Sequence, residues 1–215
     1  MTNLDRPARR LAVAVACLAG FVDAVGYLAS GGFFVSFMSG NSTRLGVGIA
    51  REAAAALMAG GLIAGFVAGV TAGFLVAHAA GRRRQAAVLG LVALLLGVAT
   101  TIGELTGPRV ALIVLASAMG AVNAMFEEGG EVRIGLTYMT GTLVKIGHRL
   151  ARAARGGERW GWVPFVMLWG GLIAGGALGA TAYLRFGLGI LWVPMASALL
   201  LAITTALHPI EPSGN

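Results

Sequence analysis

The chain has 215 residues, of which 57% are hydrophobic and only 12% charged, and its formal net charge is +7. A soluble domain carries about 25% charged residues, so the low charge and a mean hydropathy of +0.83 exclude a water-exposed surface around this chain. The single cysteine, Cys17, lies in an apolar run and excludes a disulfide framework or a cysteine metal cluster. Composition therefore predicts an all-α membrane protein.

Six apolar segments are long enough to cross the hydrocarbon, which takes roughly 20 residues at about 1.5 Å each. The first follows Arg9 and Arg10, as in a signal peptide, but it is too long, contains Asp23 and lacks a small-residue cleavage site, so we expect a span. Gly and Pro in the connections at 106–109 and 185–187 favour tight helical hairpins. In chain order, the predicted spans are 11–30, 55–79, 86–103, 110–125, 163–183 and 188–207.

The basic residues predict the orientation of these spans. If the N-terminus is cytoplasmic, four of the 16 Lys and Arg residues face outside and the other 12 face the cytoplasm, which satisfies the positive-inside rule. Both termini are then expected on the cytoplasmic side of the membrane. Because the positive charge follows membrane topology, it does not indicate nucleic acid as a partner. The four outside residues are Arg44, Arg51, Arg109 and Arg185.

The two halves of the chain resemble each other, and each contains three spans. An odd number of spans means that the second half enters the membrane upside down, so we expect one membrane domain of two inverted repeats, 1–107 and 108–215. Inverted repeats are typical of secondary transporters, which bind substrate at the repeat interface. The matching pairs are GFVDA at 20–24 with GAVNA at 120–124, MSGNSTRLG at 38–46 with MTGTLVKIG at 139–147, and GGLIAG at 60–65 with GGLIAG at 170–175.

Glycines repeat every four residues along one face of the second and fifth spans. Small residues at this spacing allow close helix packing in lipid. We expect these two spans to cross each other or a partner subunit, and the second case would make a homodimer. The glycines are Gly61, Gly65, Gly69 and Gly73 in the second span, and Gly171, Gly175 and Gly179 in the fifth.

Asp23 is the one acidic residue well inside a predicted span, and an aspartate there costs about 2.5–3.5 kcal/mol on insertion scales. We expect it to face the bundle interior or a water-filled cavity, where it has either a functional or a purely structural role. Its counterpart in the second half is Asn123, which is uncharged but equally polar.

Residues 31–50 are predicted to form an apolar segment that dips towards the membrane. The segment is then interrupted, and a helix begins after the interruption. A helix starting near Asn41 or Ser42 would direct free N–H groups inward and suit an anion or carbonyl group. Arg44 and Lys145 occupy matching positions, where they either gate the pathway, contact lipid phosphates or extend to the interface. The candidate substrate-binding residues are Asp23, Ser39, Gly40, Asn41, Ser42, Asn123, Thr140, Gly141 and Thr142.

The motifs GFVDA, MSGN, MGAVNA and MTGT resemble those of the YoaK family, a widespread group of small bacterial inner-membrane proteins classed as a domain of unknown function. The resemblance covers nearly the whole chain. It implies a multi-span membrane protein of unassigned activity, and it supplies no substrate.

Enzymatic activity is not expected, because His78, His148 and His208 do not pair and no protease or phosphate-binding motif is present. No cofactor or metal is expected either. Two hypotheses remain. The first is a transporter or channel for a small polar solute or ion, with Asp23 carrying a coupling proton or contacting a cation. The alternative is a non-transporting membrane assembly or scaffold protein.

Overall fold

The structure is a computed structural model that describes residues 6–128, 131–132 and 139–208, and this part of the chain is almost entirely helical. Its one extended feature pairs β1 (Glu127–Glu128) with β2 (Glu131–Val132) in antiparallel fashion. Three 3₁₀ turns cover Gly81–Arg83, Val122–Phe126 and Gly187–Leu191. The α-helices are α1 (Arg6–Ser30), α2 (Met38–Arg51), α3 (Ala53–Ala80), α4 (Arg84–Thr106), α5 (Pro108–Ala121), α6 (Met139–Ala154), α7 (Val163–Phe186) and α8 (Trp192–Leu207).

Four continuous helical segments of the described chain are long and apolar enough to cross a membrane. Two of them, Ala53–Thr106 with 54 residues and Val163–Leu207 with 45, are far longer than the roughly 20 residues that one crossing needs. Each is broken by a glycine with positive φ, Gly81 (52°) and Gly187 (61°), followed by a 3₁₀ turn. The breaks divide the four segments into the six long apolar helices that the sequence predicts, so the all-helical membrane class is confirmed.

Helices α1 and α7 are in backbone contact through their glycines. A Cβ atom on Gly175 would fall on the carbonyl group of Cys17, and one on Gly179 would fall on that of Phe21. From the other side, a Cβ atom on Gly20 would meet the carbonyl group of Leu172. Successive contacts involve higher residue numbers on both helices, so α1 and α7 run parallel.

Helices α3 and α5 pack in the same way. A Cβ atom on Gly69 would fall on the carbonyl group of Ser117, and one on Gly73 would lie 2.7 Å from the carbonyl oxygen of Ala121. The Ser117 hydroxyl also donates across this crossing to the Gly65 carbonyl oxygen at 2.8 Å. The glycine faces of the second and fifth spans are therefore covered by α5 and α1 of the same chain, and not by each other, whereas a homodimer stays a prediction.

The remaining helices complete the bundle around α4 and α5. Gly103 of α4 lies near Ala111 of α5 and Leu188, whereas Gly97 lies near Trp192 and Met195 of α8, so α4 runs antiparallel to both neighbours. The amphipathic α2 packs on α3, and the amphipathic α6 packs on α7. The most buried segment is α5 with its following 3₁₀ turn, where residues 118–126 are all buried. The core thus lies around α5.

We predict that Gly175→Ala lowers the free energy of unfolding by about 1–3 kcal/mol, the usual effect of overpacking, because the new Cβ atom collides with the α1 backbone. Gly170→Ala is the matched control on the same helix, since a Cβ atom there meets nothing within 4 Å. Thermal unfolding of the purified proteins in detergent measures both. Equal stability of the two variants would contradict the close α1–α7 crossing.

Candidate functional site

Helix α1 ends in a chain reversal made by two glycines. Gly31 and Gly32 have φ angles of 70° and 116°, a conformation that only glycine adopts without strain. The Gly32 N–H donates to the Tyr27 carbonyl oxygen at 2.8 Å, which closes the last turn of the helix. The Ser30 hydroxyl oxygen accepts the Phe33 N–H at 2.8 Å, so the chain is directed back towards α1.

The segment 31–37, here called the re-entrant connection, returns along the side of α1. Val35 lies against Gly26, where a Cβ atom would be 2.7 Å from a Val35 methyl group. One turn earlier on α1, Asp23 accepts the N–H groups of Val35 and Ser36, both at 2.8 Å from Oδ1. Asp23 lies seven residues before the end of α1, which is about 10 Å along a helix axis. The connection therefore runs back along α1 for about 10 Å from the end of the helix.

Asn41 of α2 holds the other side of the connection. Its side chain is fully buried; Nδ2 donates to the Phe34 carbonyl oxygen at 2.6 Å, and Oδ1 accepts the Phe34 N–H at 3.1 Å. One amide thus satisfies both backbone polar groups of Phe34, as a neighbouring strand would. Irregular backbone at membrane depth is tolerated only when its polar groups find such partners. Asp23 and Asn41 together supply them.

Aromatic rings and one arginine cover the connection. The Arg44 guanidinium lies 4.7 Å from the Phe33 ring centroid and packs beside Gly32. The Phe34 ring packs against the rings of Tyr27 and Phe37, at centroid distances of 5.0 and 5.3 Å. Arg44 is therefore attached to the re-entrant connection by a cation–π contact. Its counterpart Lys145 is exposed and lies 6.0 Å from the Phe165 ring centroid.

The start of α2 differs from the prediction of a helix beginning near Asn41 or Ser42. The helix begins at Met38, and its N-cap, Phe37, makes no side-chain capping bond. The Ser42 hydroxyl instead donates to the Met38 carbonyl oxygen at 2.8 Å, one turn back within the helix. The helix starts earlier because Asp23 and Asn41 already hold the backbone that leads into it. The free N–H groups of the first turn consequently belong to residues 38–40.

The polar residues of the second half lie on other elements. Asn123 is 3% exposed in the 3₁₀ turn after α5, and its Nδ2 donates to the carbonyl oxygens of Met119 at 3.0 Å and Gly120 at 3.3 Å. Thr142 is buried in the first turn of α6, whereas Thr140 and Gly141 are exposed there. Most of the segment that would match the re-entrant connection, including Arg133, lies outside the described residues.

The structure thus brings together three of the predicted site residues, Asp23, Gly40 and Asn41, at the re-entrant connection. Ser39 and Ser42 lie on the exposed side of α2. Binding of a substrate by any of the predicted residues stays a prediction.

Sequence reasoning missed Gly26, Ser30, Val35 and Ser36. A signal for the first two was present, because Asp23, Gly26 and Ser30 follow the i, i+3, i+7 spacing of one helix face. Val35 and Ser36 act through their backbone N–H groups, which side-chain types do not reveal.

We predict that Asn41→Leu destabilises the protein by at least about 2 kcal/mol. The substitution leaves both polar groups of Phe34 without partners, and each such buried group costs about 1–3 kcal/mol. Ser42→Ala is the control, since that exposed hydroxyl bonds only to its own helix. Urea- or heat-induced unfolding in detergent compares them. If Asn41→Leu matched Ser42→Ala, the connection would not depend on the Asn41 amide.

Comparison with known proteins agrees with a membrane protein of this kind. A family model described as "protein of unknown function (DUF1275)" matches residues 11–204, and the chain belongs to that family. The chain is also similar to the UPF0700 transmembrane protein RA0705 of Rhizobium meliloti (strain 1021), with 42% identity over 192 residues that cover 89% of this chain and 83% of the relative. No solved structure matches the chain significantly. The resemblance to a bacterial membrane family of unassigned activity is confirmed, whereas the narrower name YoaK stays a prediction.

Proposed function

We propose that the protein is a transporter or channel for a small polar solute or ion in the bacterial inner membrane. The observation that carries this proposal is a carboxylate inside a membrane-spanning helix, Asp23, that holds an irregular, re-entrant segment by its backbone. Ionisable residues within spans are costly and by default mark ion or substrate pathways. Interrupted helices of this kind form the binding sites of many secondary transporters.

The acidic side chain at this position supports the proposal. In the same segment, Asn41 satisfies the backbone of Phe34 with a neutral amide. An asparagine at position 23 would also accept N–H groups, without the cost of placing a charge in the membrane. The backbone contacts of Val35 and Ser36 therefore explain why residue 23 is polar, but they do not explain why it is acidic. A role in ion or proton coupling does.

The packing supports an inverted-repeat arrangement. The first half consists of α1, the amphipathic α2 and the further spans α3 and α4. The second half repeats this order with α5, the amphipathic α6 and the further spans α7 and α8. The first helix of each half crosses the third helix of the other half through glycines, as α1 with α7 and α5 with α3. A two-fold exchange of the halves interchanges these two crossings. Under the proposal, the site lies at the repeat interface, with both termini in the cytoplasm.

The coupling step follows from the hydrogen bonds of Asp23. Bonds from N–H groups to a carboxylate are roughly twice as strong as those between neutral groups. A proton or cation on Asp23 would weaken its hold on Val35 and Ser36. The re-entrant connection and the start of α2 would then be free to shift, which links the charge at Asp23 to the exposure of the first turn of α2.

A non-transporting assembly or scaffold protein is the second candidate. The observation that favours it is that Oδ1 of Asp23 and both polar groups of the Asn41 amide are already occupied by backbone. On this reading, both side chains serve only to close the chain reversal after α1.

Asp23→Asn separates the two candidates, because it keeps an acceptor for Val35 and Ser36 and removes the charge. We expect the variant to fold in detergent but to lose a stabilising ligand found by screening the wild type against metabolites and ions across pH. A ligand at a hundred times its Kd stabilises the folded state by about 2.7 kcal/mol. Flux of that ligand into proteoliposomes should fall in the same variant.

Ser42→Ala provides the control for this experiment, since it alters an exposed hydroxyl on α2 and leaves the contacts of Asp23 intact. If Asp23→Asn binds and transports the ligand as the wild type does, Asp23 has no coupling role. If no ligand stabilises either protein, the scaffold function is favoured.

A further inference from the structure

A groove with a volume of about 850 Å³ lies between the N-terminal ends of α1 and α7. The first glycine contact between these helices is that of Gly171 with Val13. Before this contact the helices separate, and residues 6–14 of α1 and 160–167 form the walls. The groove is distinct from the re-entrant connection, which lies towards the opposite end of α1.

The mouth of the groove is strongly basic. Arg6, Arg9 and Arg10 line it, and none of the lining residues that the structure describes is acidic. None of the three makes an ion pair with the described part of the chain. Arg9 stands out because its Nε is buried and has no hydrogen-bond partner there. The three guanidinium groups therefore carry positive charge with no ion-pair partner in the described part of the chain.

The deeper walls of the groove are apolar. Val13 and Ala14 form one side, and Val163, Pro164 and Met167 form the other. Trp160 stands at the rim with 61% of its surface exposed. An indole with this exposure beside arginines is typical of the membrane–water interface. The groove therefore combines cationic donors at its mouth with hydrocarbon walls inside.

We infer that this groove binds an anionic phospholipid, with the headgroup phosphate at Arg6, Arg9 and Arg10 and one acyl chain along α1 and α7. Guanidinium groups bind phosphate oxygens through charge-assisted hydrogen bonds. A free phosphate would leave the apolar walls unused, and an uncharged lipid would leave three arginines without a counter-ion from residues 6–128, 131–132 and 139–208.

The test measures lipid binding to the purified full chain by thermal shift in detergent, with phosphatidylglycerol, phosphatidylcholine and inorganic phosphate as separate probes. We expect phosphatidylglycerol to stabilise the wild type more than phosphatidylcholine does, and phosphate alone to have little effect. Arg9→Gln should weaken phosphatidylglycerol binding at least tenfold. Arg155→Gln removes the same charge from an exposed arginine outside the groove and should bind as the wild type does.

Ala14→Phe tests the apolar wall independently and keeps the inference testable if Arg9→Gln fails to fold. The larger side chain should reduce phosphatidylglycerol binding because it occupies the acyl-chain volume. Equal stabilisation by the two lipids, equal losses in Arg9→Gln and Arg155→Gln, or stabilisation by phosphate alone would each overturn the inference. None of these outcomes depends on transport or on Asp23.

Discussion

The fold depends on one constraint, which is that a backbone inside the bilayer must find partners for its polar groups. Helices meet this requirement by themselves, but the seven residues between α1 and α2 do not form a helix. The N–H groups of Phe34, Val35 and Ser36 and the carbonyl group of Phe34 are satisfied instead by side chains from both flanking helices, Asp23 from α1 and Asn41 from α2. The positions of α2 and of Arg44, which packs on Phe33, follow from these contacts. Without them the connection would have to leave the membrane.

A second feature makes this arrangement rigid. α1, which carries Asp23, is in backbone contact with α7 at Gly175 and Gly179. α2 packs on α3, which is in backbone contact with α5. The re-entrant connection therefore joins α1, which a glycine crossing fixes to the other half, to α2, which packs on a helix that is fixed in the same way.

The sequence predicts the spans well because hydrophobicity and length decide whether a helix crosses a bilayer, and the breaks at Gly81 and Gly187 follow from the properties of glycine. The sequence does not predict which helix packs on each glycine face. Small residues indicate that another helix packs closely there, but they do not identify that helix. The start of α2 was misplaced for a related reason. Residues 39–43 have the composition of an N-cap, but Asp23 and Asn41 hold the preceding backbone and make that cap unnecessary. Side-chain types alone cannot reveal backbone donors such as those of Val35 and Ser36.

The two halves differ at the position of Asp23, and this difference bears on the role of the acidic side chain. The matching position in the second half is Asn123, whose amide donates to carbonyl groups at the end of its own helix. At the matching position of α1, Asp23 accepts N–H groups from a different segment. If both positions served only to close a helix, the same neutral residue would do at each, and the cost of a charge in the membrane would be avoided. Under the proposed transport function, this difference would leave one ion or proton site, at Asp23 in the first half.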